Sequence, residues 1–141
     1  MGLPATSLVV EITEGLLLDA NDNVSNQLLE FKNAGIQVAI DDFGTGYSSL
    51  SYLKKYDIEY IKIDKSFVSS LSTSASDLGI CEAIILMAHK LDMRVIAEGV
   101  ETLEQYQLLE SAGCDYVQGY YFSKPIDVEA FENLVKDKAL A

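Results

Sequence analysis

Apolar residues recur along this chain in two rhythms. Short β-branched and aromatic runs, in "SLVVEIT", "IQVAIDDF", "EYIKID", "MRVIAEG" and "YVQGYYF", alternate with longer stretches whose apolar positions fall three and four residues apart. In the first long gap Asn23 suits the N-cap of "VSNQLLEFKNA", with Val24, Leu28 and Phe31 on one face and Gly35 at its end. The stretch "ASDLGICEAIILMAHKL" repeats the pattern through Ile80, Ile84, Met87 and Leu91. "TLEQYQLLESA" does so before Gly113, and Asp127 can cap "VEAFENLVKD". Strand alternating with helix predicts an α/β fold of parallel βα units joined by right-handed crossovers.

The polar residues fall at one end of the predicted strands. In order these ends carry Glu11, Asp41 with Asp42, Lys62 with Asp64, Glu98, and Gln118. In a (β/α)8 barrel the carboxyl ends of the strands form the active-site rim. In "IKID" the period-two rule sends Ile61 and Ile63 one way and Lys62 and Asp64 the other. The predicted architecture is therefore a partial (β/α)8 TIM-like barrel of about five parallel βα units. An open doubly wound sheet, which also places ligands at strand carboxyl ends, is the alternative.

Composition narrows the picture. A chain of 141 residues, 49% hydrophobic, suits one folded domain. The net charge of −12 argues against long nucleic acid as a partner, yet suits divalent cations. No apolar run is long enough for a membrane span and no leader pattern is evident, so the cytoplasm is the expected location. Cys81 and Cys114, with no CxxC pair, read as buried thiols.

The adjacent carboxylates of "VAIDDFGTGYSSL" pose a chemical question, because two neighbouring anions repel unless a cation or water separates them. Together "EITE", "DDFGTGYSSL", "IKID", "AEGVET" and "QGYYFSKP" resemble, in order and separation, the carboxyl-terminal part of an EAL domain. That resemblance covers nearly the whole chain and makes residues 1–141 a truncated domain of this family. It implies a modified (β/α)8 barrel and hydrolysis of cyclic di-GMP to linear pGpG with Mg²⁺ or Mn²⁺.

Carried over residue by residue, the resemblance makes Glu11 and Asp41 metal ligands and has Asp42 hold a second metal or its water. It makes Lys62 the residue that positions or activates the attacking water, beside Asp64, has Glu98 complete the metal and loop environment, and puts Gln118 near substrate or water. Glu14 would anchor the loop "DFGTGYSSL". These residue types suit the chemistry, because Mg²⁺ and Mn²⁺ prefer hard oxygen ligands and phosphodiester cleavage needs activated water and stabilised phosphate charge.

The chain also departs from the family. The Glu-Ala-Leu motif and the following Asn ligand are absent, and Glu82-Ala83-Ile84 falls in a helical pattern. A complete barrel runs to about 250 residues, so roughly 100 would lie on the amino-terminal side. A homodimer or that missing half is the expected macromolecular partner, and the isolated chain is expected to be weak or inactive. A non-catalytic module for binding cyclic di-GMP or for dimerisation is the alternative function. Rim chemistry by itself would also allow another metal enzyme of this fold.

Other signals carry less. Asp19, Asn21, Asn23 and Glu30 mimic a calcium loop, but Val24 stands where glycine is required. Gly44, Gly46 and Ser49 do not complete a dinucleotide fingerprint. His89 reads as structural or exposed, and Glu101 as a first-turn helix residue. Tyr120, Tyr121 and Phe122 suit either base stacking or packing at the rim.

Overall fold

The computed structural model describes residues 4, 7–18, 22–43 and 51–140. Five parallel strands form one sheet in the order β1-β2-β3-β4-β5: Val9–Thr13, Gln37–Phe43, Tyr60–Ile63, Arg94–Ala97 and Tyr116–Val117. Helices α1 (Glu14–Leu18) and α2 (Asp22–Asn33) join β1 to β2, and α3 (Ser51–Lys55) lies between β2 and β3. Between β3 and β4 come α4 (Lys65–Val68) and α5 (Ala75–Lys90). Then α6 (Leu103–Ser111) leads to β5, and α7 (Val128–Leu140) follows it.

Sequential neighbours in a parallel sheet are what repeated right-handed βα units produce. One face of the sheet carries the core: Val38, Ile40, Ile61, Ile63 and Val95 are buried with Leu28, Val68, Ile84, Ile85 and Leu109 of the helices. The alternate residues of the strands differ in kind. Glu11, Arg94 and Tyr116 are exposed there, while Lys62 is buried. Thus Ile61 and Ile63 do pack in the helix-covered core, as alternation predicts.

Several local expectations shift. Helix α2 starts at Asp22, so Asn23 lies within its first turn rather than capping it. In α5 the buried positions are Cys81, Ile84, Ile85 and Ala88, whereas Ile80 is exposed, as is Leu91 at the C-cap. Apolar residues surround most of that helix, so spacing did not select one face. Strand β5 stops at Val117, and the backbone turns at Tyr120 and Tyr121. Asp127 behaves as expected, its Oδ1 accepting from the Ala130 N–H at 2.9 Å. Among the described residues no helix is long and apolar enough to cross a membrane.

Candidate functional site

The site begins with an irregularity in β2. Ile40 pairs with Ile61, but Phe43 pairs with Ile63, so three residues advance along β2 against two along β3. This bulge contains Asp41 and Asp42. Asp42 has φ +56°, a left-handed conformation that Asp tolerates better than most residues, and its N–H donates to Asp41 Oδ1 at 2.9 Å. A regular strand would send these neighbours to opposite faces. Instead, carboxylate oxygens of Asp41, Asp42 and Glu98 all lie within 4.8 Å of one another.

Lys62 lies next to this cluster. Its buried Nζ reaches Glu98 Oε1 at 2.7 Å and Glu11 Oε1 at 2.5 Å, so one ammonium on β3 links β1 and the residue that follows β4. Burial disfavours its charge, but the Glu11 and Glu98 carboxylates outweigh burial and raise its pKa. The Glu98 carboxyl is also pushed up, to about 7, first by burial and then by the adjoining Asp41, against the pull of Lys62. The pair is unequal because Lys62 is shared by two acids, while Glu98 also faces Asp41.

Asp64 takes a different place from that suggested by its spacing. It is the N-cap of α4, accepting from the Ser66 N–H at 2.9 Å. Hydrogen bonds from Ser66 hold its carboxyl below the usual range. Its hydrogen bond to Asp42 raises the pKa of Asp42, with burial and the Asp41 charge adding to the effect. Asp64 therefore faces Asp42, and Lys62 makes its ion pairs with Glu11 and Glu98 instead.

Backbone packing holds the rim together. Glu98 N–H donates to Ile63 O at 3.1 Å, and Gln118 N–H donates to Ala97 O at 2.9 Å. Gly99 has φ +75°, and a Cβ there would come within 2.6 Å of Lys65 Cβ. At Gly119 a Cβ would lie 2.2 Å from the Val100 carbonyl oxygen. A cleft of about 770 Å³ continues from Glu98 past Gln118, Tyr120 and Lys124 to Phe131 of α7. Gln118 is exposed at this cleft, not inserted among the carboxylates.

Glu14, the first residue of α1, is buried and accepts from the Tyr52 hydroxyl at 2.6 Å through Oε1. Its buried Oε2 has no hydrogen-bond partner among the described residues. Burial and the Glu14 carboxylate both push the Tyr52 hydroxyl pKa upward. Residues 44–50, with Gly44, Gly46 and Ser49, lie outside the described residues, as do Asp19 and Asn21.

The remaining candidates separate from this centre. His89 Nε2 meets Asp115 Oδ2 at 2.7 Å near the amino ends of β4 and β5. Glu101 is exposed one residue before the α6 N-cap, not within its first turn. Tyr121 and Phe122 pack with Tyr106, whereas Tyr120 lines the cleft with Lys124 Nζ 5.9 Å from its ring centre. Glu82 to Ile84 lie inside α5. Burial pushes the Cys81 thiol up to about 12 and that of Cys114 to about 11, which makes both poor nucleophiles.

Two contributors escaped the sequence reading: Tyr52, which engages Glu14, and Gln105, which engages the segment after Glu98. The second had a signal, since "TLEQ" is a Thr-x-x-Gln capping-box pattern. Tyr52 had none, because its partner is distant in sequence.

The donor set fits a hard divalent cation. Three clustered carboxylates with one shared lysine nearby leave negative charge uncompensated, and oxygen ligands suit Mg²⁺, Mn²⁺ or Ca²⁺.

Comparison with known proteins gives the same direction. The EAL domain profile matches residues 1–125. The chain is 47% identical over 133 residues to the signaling protein YkoW of Bacillus subtilis, covering 94% of this chain and 17% of that protein. It is 42% identical over 135 residues to the cyclic di-GMP phosphodiesterase NbdA of Pseudomonas aeruginosa, covering 96% and 17%. The EAL domain of Mycobacterium smegmatis DcpA superposes with a TM-score of 0.87 at 41% identity, over 96% of this chain and 61% of that one. A manganese and cyclic di-GMP complex of Klebsiella pneumoniae BlrP1 gives 0.80 at 36%, over 88% and 32%. The chain thus spans a small part of the curated relatives it matches and about three-fifths of the solved DcpA domain.

Proposed function

The chain belongs to the EAL domain family, and on that premise we propose that it forms the carboxyl-terminal part of a cyclic di-GMP phosphodiesterase producing linear pGpG. The observation that carries this reading is the meeting of Asp41, Asp42 and Glu98 beside the buried Lys62. The names of NbdA and of the BlrP1 complex support the substrate class and a divalent metal.

In this proposal Asp41, Asp42 and Glu98 hold Mg²⁺ or Mn²⁺, with Glu11 as a further ligand. When bound, such an ion supplies Lewis-acid stabilisation of phosphate oxygens and lowers the pKa of water. Lys62 keeps its proton and orients the attacking water, and Asp64 steadies Asp42 from its helix cap. Gln118 and the adjoining cleft contact the nucleotide. Glu14 anchors the segment that follows β2. Residues 1–141 act as one truncated domain in the cytoplasm.

The test is hydrolysis of cyclic di-GMP by the 141-residue chain with Mg²⁺ or Mn²⁺, following pGpG, with Asp41→Asn in parallel. Turnover that disappears in Asp41→Asn supports the reading. Absence of turnover from a folded wild-type chain favours the non-catalytic alternative.

That alternative, a ligand-binding or dimerisation module, has its own observation. Val128, Phe131 and Val135 form an exposed apolar stripe on α7, and Leu8 and Val9 are exposed at the β1 edge of the sheet. A homodimer or an amino-terminal half covering these surfaces would supply the missing burial. Light scattering across a concentration series distinguishes a self-associating chain from a monomer.

A further inference from the structure

We propose that Gln105 is a positioning residue for Glu98, holding the segment between β4 and α6 so that the Glu98 carboxylate meets the cluster. The inference rests on the metal reading above, but its geometry does not.

An ordinary capping box ties the N3 side chain back to the N-cap N–H and ends there. Gln105 does more. Its Oε1 accepts from Thr102 N–H, the N-cap, at 3.2 Å, and more closely from Glu101 N–H, outside the helix, at 2.8 Å. Thr102 Oγ1 reciprocates by accepting from Gln105 N–H at 3.2 Å. The Gln105 side chain is buried, so water does not replace these bonds without rearrangement.

From Glu101 only Gly99 and Val100 separate the anchored backbone from Glu98. Val100 is fully buried, its N–H donating to Gln118 O and its carbonyl accepting from Tyr121 N–H, both at 3.0 Å. Glu98 N–H is itself bonded to Ile63 O. The segment is therefore held at its start, its middle and its end, and Gln105 supplies the end. Loosening that end frees Gly99, the joint with the widest backbone freedom, to turn Glu98 away from Asp41 and Lys62. Groups that orient ligands from behind in this way commonly matter to metal affinity.

The experiment compares Gln105→Ala, Gln105→Glu and Ser74→Ala in the full chain. Ser74 caps α5 by accepting from Asp77 N–H at 3.2 Å and touches no part of the cluster, so it controls for simple helix capping. Two readouts are taken: Mn²⁺ affinity by titration, and amide hydrogen exchange at Glu98 and Val100. Gln105→Ala is expected to weaken Mn²⁺ binding by about tenfold or more and to remove protection at both amides. Gln105→Glu, which keeps an acceptor oxygen, is expected to restore both, and Ser74→Ala to change neither. Wild-type Mn²⁺ affinity in Gln105→Ala, or an equal loss in Ser74→Ala, overturns the proposal. A wild-type chain that binds no Mn²⁺ overturns the metal reading instead. The exchange data then decide, and retained protection at Glu98 and Val100 in Gln105→Ala sinks the positioning role.

Discussion

Asp41 and Asp42 are consecutive residues of β2, yet their carboxylates meet in one cluster with Glu98. The β-bulge and the left-handed backbone of Asp42 bring them together against the alternation of the strand. Like charges held this close weaken the folded state unless a cation joins them.

A pair of opposed effects follows for Asp41→Asn. Removing one charge relieves repulsion, so the metal-free chain is expected to melt at a higher temperature than wild type. The same change is expected to weaken Mn²⁺ binding by at least about tenfold, by loss of a charged oxygen ligand. Thermal melts with and without Mn²⁺ read both. A lower melting temperature without metal would count against a repulsive cluster.

Lys62→Met leaves Glu98 buried without its cation and Glu11 without its partner. Breaking a buried pair from one side costs about 3–5 kcal/mol, and the lower end applies because Glu11 is half-exposed. Urea unfolding at neutral pH measures the loss. Adding Glu98→Gln is expected to return part of it, since the stranded charge is then gone.

The Glu98 carboxyl also sets a pH dependence. Its pKa is about 7 in the folded chain against an ordinary 4.5, so between those values the folded state holds more proton. Stability of the metal-free chain therefore falls as pH rises from about 4.5 to about 7, and this contribution is flat on either side. Its size is at most about 3 kcal/mol. Glu98→Gln should abolish that slope in urea titrations run across the window. Mn²⁺ binding by the wild type should strengthen over the same range, because the ion competes with that proton.

Gly99 and Gly119 predict different tolerances. Alanine at Gly99 needs a positive φ and comes within 2.6 Å of Lys65 Cβ and 3.3 Å of Lys65 Cα, which no rotamer change moves, so a loss above the roughly 1–2 kcal/mol of the left-handed backbone is expected. Alanine at Gly119 meets the backbone of Val100, which has no room to withdraw, and should cost more. Denaturation midpoints rank the two. The reverse order would mean that the β4–β5 rim is looser than these contacts imply.

Much of the fold was legible because strands and helices of a βα repeat are local patterns. "IKID" alternates with period two, and its isoleucines are indeed buried in the core while Lys62 lies among charges. Polar residues at successive strand ends marked the rim, and Glu11, Asp41, Asp42, Lys62, Asp64 and Glu98 do gather around it through direct bonds or close approach. The helix faces were less legible. In α5 apolar residues surround the axis, so burial at Cys81, Ile85 and Ala88 depended on what the helix packs against.

By itself, then, the sequence determined the residue types, their order along parallel βα units, and the concentration of acids at one end of the strands. Only the tertiary structure decided which charge meets which. Lys62 pairs with Glu11 of β1, across the intervening β2, and with Glu98 at the end of β4, rather than with Asp64, because the register of four successive strands brings these positions together. Asp64 turns to Asp42 because a helix begins at Lys65 and takes its carboxylate as a cap. Strand alternation is a property of one chain segment, whereas a bulge, a register and a shared ammonium are agreements between segments. Those depend on distances in space that no single run of residues contains.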